Sequence, residues 1–278
     1  MEAAETPARR RFVELIDGAD IPLDRAALAI AEEEYPGLSA EPYLRSIDAL
    51  AERARLRIAG RRGAAGALRA LRETLFEEAG FRGNDEDYYD PRNSFLNEVL
   101  DRRLGIPISL SVLFLSVARR VGLPVHGVRF PGHFLVKHEA GGRELFIDPY
   151  RGGEILTAEE CADRYRAATH GKGSFDPRFL DPATPRQILA RMLHNLKRIY
   201  GEQGDDVRTL WVIDRLLLLT PGDPEERRDR GLVSARLGGT AAALADLRAY
   251  LAAAPDAADA AEVRELAAAL EKRQTLLN

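Results

Sequence analysis

Strand-like sequence is confined to one stretch of this chain. Val125 to Phe130, His133 to His138 and Arg143 to Asp148 are short β-type runs, and Ala140-Gly141-Gly142 carries the turn chemistry of a hairpin between the last two. Before and after this stretch, apolar residues recur at the three-to-four-residue spacing of helices. The expected class is α+β: a helical N-terminal region over residues 1–84, a core with a small antiparallel sheet over 85–182, and C-terminal helices over 183–278.

In the first region, Phe12, Leu15 and Ile16 start an apolar stripe. A second helix follows Pro22 and runs through Ala26–Ala31 until Pro36-Gly37 stops it. Ser39 is placed to cap a third helix, whose stripe is Tyr43, Ile47, Leu50, Ala54 and Ile58. Gly60 to Gly66 reads as a loop or frayed helix end, and Leu68, Leu71, Leu75 and Phe76 define a further helix ending at Gly80. In the core, Ser94 to Arg103 reads as helix. Ser109 to Val121 is a mostly apolar helix stopped by Gly122, with Pro124 beyond. Such a helix is buried on most sides.

The last region repeats itself. Thr220-Pro221 returns as Ala254-Pro255, Gly204 as Gly238 and Ile213 as Leu247, each thirty-four residues on. That period with helix–turn–helix texture is the tetratricopeptide signature. Leu196, Tyr200 and Pro221 serve the first unit, and Gly231, Ala243 and Pro255 the second. Leu193 stands where tryptophan is common and Arg230 where leucine is common. Ala258 to Leu277 is expected to form a capping helix.

The chemistry points to His133 and Asp148. A two-residue loop at Ala140-Gly141 would set them directly opposite each other across the hairpin, within about 5 Å between Cβ atoms; a register shifted by two leaves them diagonal on the same face. A carboxylate beside an imidazole fixes its tautomer and lets it activate a nucleophile. Gly132 allows close approach next to His133. Two readings of Ser109 stand side by side, as helix cap and as a nucleophile favoured by the helix start; Ser111 is a weaker version of the second. Cys161, the only cysteine, lies at an amphipathic helix start and reads as a buried structural thiol. In Asn84–Ser94, Arg92 and Asn93 are candidate pocket-lining groups, as is Tyr150 beyond Asp148, with Gly152-Gly153 suited to a pocket rim.

Several classes are excluded. A net charge of −4 with only short arginine clusters at 9–11 and 61–62 argues against nucleic acid. The acidic start of the chain is expected not to be a signal peptide, and no run reaches the length of a membrane helix. Asn84–Ser94 lacks the glycine and terminal glutamate of a calcium loop, and the histidines show no ligand spacing, so no metal and no cofactor are expected. A cytoplasmic setting is expected.

The run Tyr89-Asp-Pro-Arg-Asn-Ser-Phe-Leu-Asn-Glu-Val-Leu-Asp-Arg-Arg-Leu-Gly-Ile-Pro-Ile-Ser109, with Pro131-Gly-His-Phe-Leu and Ile147-Asp-Pro, resembles the bacterial Sir-B family. The resemblance extends from about Ile21 to the end of the chain. It implies a papain- or transglutaminase-like core followed by tetratricopeptide-like helices. By the superfamily's Cys–His–Asp pattern, His133 and Asp148 match the last two members, and the cysteine position falls near Ile108 to Ser111, where no thiol stands. The expected function is a peptide- or protein-binding regulatory module, a pseudoenzyme whose cleft takes a peptide while the repeats offer a second, concave docking surface. The alternative is a Ser–His–Asp hydrolase of amide or ester bonds using Ser109. A purely structural His–Asp hydrogen bond is the third possibility.

Overall fold

The computed structural model describes residues 6–140 and 142–277. The elements begin α1 (Pro7–Ile16), α2 (Leu23–Glu34), α3 (Ala40–Ile58), α4 (Gly63–Arg72), β1 (Arg82–Gly83), α5 (Leu96–Arg102), β2 (Leu104–Gly105) and α6 (Pro107–Arg120). They continue with β3 (His126–Val128), β4 (Leu135–Ala140), β5 (Arg143–Asp148), β6 (Glu154–Leu156), α7 (Ala158–Ala168) and β7 (Pro182–Ala183). Helices α8 (Pro185–Glu202), α9 (Asp206–Leu219), α10 (Pro224–Arg236), α11 (Thr240–Ala253) and α12 (Ala260–Leu277) complete the chain. They divide into two compact units, one of residues 14–192 and one of the described residues within 1–13 and 193–278. The helices before residue 84 and the strand-bearing segment, separated in the sequence reading, thus share one unit.

Helix α6 is the axis of the first unit. It packs against α2, α3, α4 and α5, and against β3 and β4 of the sheet. Leu110, Val112, Leu113, Phe114, Val117 and Ala118 are fully buried. The helix carries three serines into this apolar surrounding without leaving a hydroxyl unsatisfied. Ser111 and Ser116 donate to the carbonyls of Pro107 and Val112, four residues back, at 2.7 and 2.6 Å. At the far end Gly122 adopts φ +72°, and the Leu123 N–H reaches the Ala118 carbonyl at 2.9 Å. This glycine-terminated cap is the stop expected from Gly122 and Pro124.

The sheet has the order β6-β5-β4-β3-β7 and is antiparallel throughout. Beyond it, α7 closes a cluster of Val128, Leu135, Phe146, Leu156, Cys161 and Leu180. A separate two-residue parallel ladder pairs Arg82 with Leu104 and Gly83 with Gly105.

Local expectations are corrected in three places. Gly63 to Gly66 is the first turn of α4, not a loop. His133 precedes its strand: it sits in a turn in which Gly132 has φ +71° and the His133 N–H donates to Phe130 at 2.9 Å. The hairpin pairs Ala140 with Arg143 and Val136 with Ile147, the register shifted by two residues from the direct one. Ala140 stays in the ladder, paired with Arg143, and Gly142 has φ +74°; the Ala140-Gly141 loop of the direct register falls partly outside the described residues. Two-residue hairpin loops demand positive φ, which glycine supplies without steric cost.

In the other unit, α9 packs on α10, α10 on α11 and α11 on α12. Gly204 and Gly238, one repeat apart, both have positive φ, +70° and +81°, at the ends of equivalent helices. At Gly231 a Cβ would stand 2.7 Å from Leu247 Cδ2, so the small-residue position of the repeat is a helix-crossing contact. Arg230, where leucine is common, instead makes a two-pronged ion pair with Asp246, both bonds at 2.7 Å.

Candidate functional site

His133 and Asp148 meet. His133 Nε2 lies 2.8 Å from Asp148 Oδ1, although the two residues are diagonal rather than opposite. Asp148 is completely buried, and its charge is held by several donors. The backbone N–H groups of Tyr150 and Arg151 donate to Oδ1 at 3.1 and 3.3 Å. Arg164, reaching from α7, donates to Oδ2 at 3.0 Å and places its other nitrogen 2.5 Å from Glu154. The carboxylate at the end of β5 is thus held from two sides, Oδ1 by the 3-10 turn over Pro149–Arg151 and Oδ2 by a helix. The histidine side chain remains about one quarter exposed, at 23%. With Nε2 facing Asp148, Nδ1 is the ring nitrogen left for a ligand.

The serines are placed elsewhere. Ser109 is fully buried at the third position of α6, and its cap is Ile106. Its Oγ donates to the Asn93 carbonyl at 2.6 Å and accepts from the Ile106 N–H at 3.1 Å. The hydroxyl therefore closes the helix start from inside, and no hydrogen bond joins it to His133. In this arrangement the Ser109 proton goes to a backbone carbonyl and not toward His133. Ser111 is likewise buried and bonded within its own helix. Cys161 is fully buried behind the sheet, and burial, with the nearby carboxylates of Glu160 and Asp148, pushes its thiol up to about 11 against the pull of Arg164.

The residues of the polar loop take unequal parts. Asn93 is fully buried; its Nδ2 donates to the Asp87 carbonyl at 2.7 Å and its Oδ1 accepts from Asn84 Nδ2 at 3.0 Å. It is a clamp on the loop and not a lining group. Arg92 is more than half exposed and forks onto Asp90 through Nε and Nη2. Burial opposes the Asp90 charge, but the Arg92 bonds outweigh it and hold that carboxyl below the usual range. Gly132 has open space where a Cβ would be, so its role is the positive φ of the turn rather than close approach.

Tyr150 is the residue whose part the sequence did not reveal. Its phenol donates to Asp85 Oδ1 at 2.7 Å, and burial together with that carboxylate raises its pKa, so it stays protonated. Its ring meets His133 edge-on at 6.0 Å and Tyr88 at 5.9 Å, and Tyr88 meets Tyr89 at 5.3 Å. The β1–β2 ladder makes this possible: at Gly83 any Cβ would collide with the Tyr150 ring. Among the described residues no three His, Cys, Asp or Glu side chains gather as a metal site, and no helix is long and apolar enough to cross a membrane. A cavity of 520 Å³ lies at the other end of α6, lined by Ile21, Leu115, Leu123, Pro124 and Ile188 among others, and no predicted site residue borders it.

The fold defines a class, and the comparisons agree with it. The transglutaminase-like superfamily matches residues 41–194 and the tetratricopeptide repeat matches residues 196–268. A UPF0162 protein of Xylella fastidiosa is 42% identical over 239 residues, covering 85% of each chain. One of Vibrio cholerae is 28% identical over 88% of this chain and 87% of its own. The chain belongs to the UPF0162 family of transglutaminase-like proteins. Mouse F-box only protein 21 is 34% identical over 147 residues, half of this chain but 22% of its own. The architecture is the one implied by the Sir-B resemblance.

Proposed function

We propose that the chain is a peptide- or protein-binding module that uses the transglutaminase-like cleft for recognition instead of acyl transfer. The observation that carries this reading is the division of labour at α6. The helix start that would present a nucleophile offers Ser109, whose hydroxyl is bonded to Asn93 and Ile106, and Ser111, bonded to the Pro107 carbonyl. His133 nonetheless keeps its buried carboxylate and an exposed edge. A polar group positioned at such structural cost and left without a nucleophile serves as a hydrogen-bonding anchor for a ligand. Tetratricopeptide repeats, a class that mediates protein interactions, support the same role.

The test is binding of a fluorescent peptide library to the full chain, run beside a fluorophosphonate probe. Saturable binding weakened by His133→Ala and Asp148→Asn, with no covalent labelling, is the expected result. Labelling that disappears in Ser109→Ala, or a library with no binder, overturns the reading.

A further inference from the structure

We infer that the surface of Tyr88, Tyr89 and Tyr150 beside His133 takes a cationic side chain, a lysine or arginine of the bound peptide. This rests on the peptide-binding reading of the cleft and adds what it selects. The three rings form a continuous edge-to-face series that ends on His133, and Tyr89 is 51% exposed. An aromatic surface prefers a cation when carboxylates border it, since ring faces and carboxylates attract the same charge. The loop that carries Tyr88 and Tyr89 also carries Asp85, Glu86 and Asp87, all three exposed. Among the described residues none of the three is in an ion pair, although the neighbouring Arg92 and Arg102 are matched to Asp90 and Arg164 is matched to Asp148 and Glu154. Asp85 accepts the Tyr150 phenol, and Glu86 and Asp87 are the exposed carboxylates on the same loop that would meet the cation.

The surface is also built in advance. Asn93 Nδ2 binds the Asp87 and Tyr88 carbonyls at 2.7 and 3.3 Å, and the Asp87 N–H is held by Asn84 Oδ1 at 3.2 Å. The loop is therefore fixed to the buried start of α6, and a ligand meets rings and carboxylates already in position. Anions are disfavoured by the same uncompensated charge. Arg151, 66% exposed near Asp148, is the cation next to Tyr150, so the acidic loop residues set the preference at the Tyr88 and Tyr89 end of the series.

The experiment titrates the full chain, with its tyrosine rings 13C-labelled, with the methylamides of Nα-acetyl-lysine, Nα-acetyl-arginine, Nα-acetyl-norleucine and Nα-acetyl-glutamate. The lysine and arginine compounds are expected to shift the Tyr88, Tyr89 and Tyr150 signals saturably, and the other two are not. Glu86→Gln and Asp87→Asn should each weaken the effect by roughly threefold, the scale of one exposed charge pair. Equal shifts from norleucine, or shifts unchanged in the doubly substituted chain, overturn the proposal, as does silence from all four. Library peptides that bind through His133 without any preference for basic residues sink the charge selection and leave the cleft reading standing. Cationic probes that bind while every library peptide fails do the reverse.

Discussion

Gly83 lies directly against the ring of Tyr150: a Cβ on Gly83 would stand 2.6 Å from Cε2 and 2.7 Å from Cζ. The ring cannot yield, because its hydroxyl is bonded to Asp85 and its backbone N–H to Asp148. Gly83→Ala should therefore destabilise the chain by about 1–3 kcal/mol, the usual cost of overpacking. Tyr150→Ala in the same chain should recover part of that loss. Urea denaturation of the two single variants and the double variant gives the coupling directly. Additive effects would mean that the contact carries no energy.

The pair His133–Asp148 was legible in the sequence because a hairpin brings the start of one run close to the end of the next, although His133 reaches Asp148 from the turn before its strand and not by strand alternation. The register itself was legible only in part. Ala140 resists the positive φ that a two-residue loop demands, and it pairs with Arg143 in the ladder. Tyr150 and Gly83 were not legible as partners. They are brought together by a parallel ladder of two residues, too short to show any periodicity. Arg164 escaped for a related reason: an amphipathic helix announces its apolar face but not which strand end its charged residues reach.

Arg164 should prove to be the main support of the buried carboxylate. Removing it leaves Asp148 enclosed with its Oδ2 facing only the more distant Arg151, at 3.9 Å. Arg164→Ala is expected to cost about 2–4 kcal/mol, somewhat less than the full penalty for orphaning a buried charge because the arginine is partly exposed. Asp148→Asn in the same background should restore stability, since the neutral amide no longer needs the guanidinium. Thermal unfolding of the three variants checks the order; a harmless Arg164→Ala would contradict the role given to it.

Cys161 should be inert in the native chain. Its thiol is fully buried in the cluster behind the sheet, and burial raises it to about 11. Only the thiolate reacts, so iodoacetamide at pH 8 should label the denatured chain and leave the folded one untouched. Rapid labelling of folded protein would show that the α7 face opens readily.

The repeat unit should weaken in acid. Glu226 accepts from His194 at 3.1 Å and from Lys197 at 2.7 Å. Burial alone would raise its carboxyl, but those two bonds outweigh it and bring the group below its ordinary value of 4.5. A carboxyl depressed on folding contributes stability that is fully present above its unfolded value and is lost as pH falls through the folded one. Stability should thus be level with respect to this group above about pH 5 and decline progressively below pH 4.5. Glu226→Gln should start from a lower plateau, because Lys197 loses one of its two carboxylate partners, and should show a shallower acid slope. Urea midpoints for the full chain and this variant across the acid range, read at Trp211 in α9, measure both effects. Identical slopes would mean that the Glu226 contacts do not hold the carboxylate in solution.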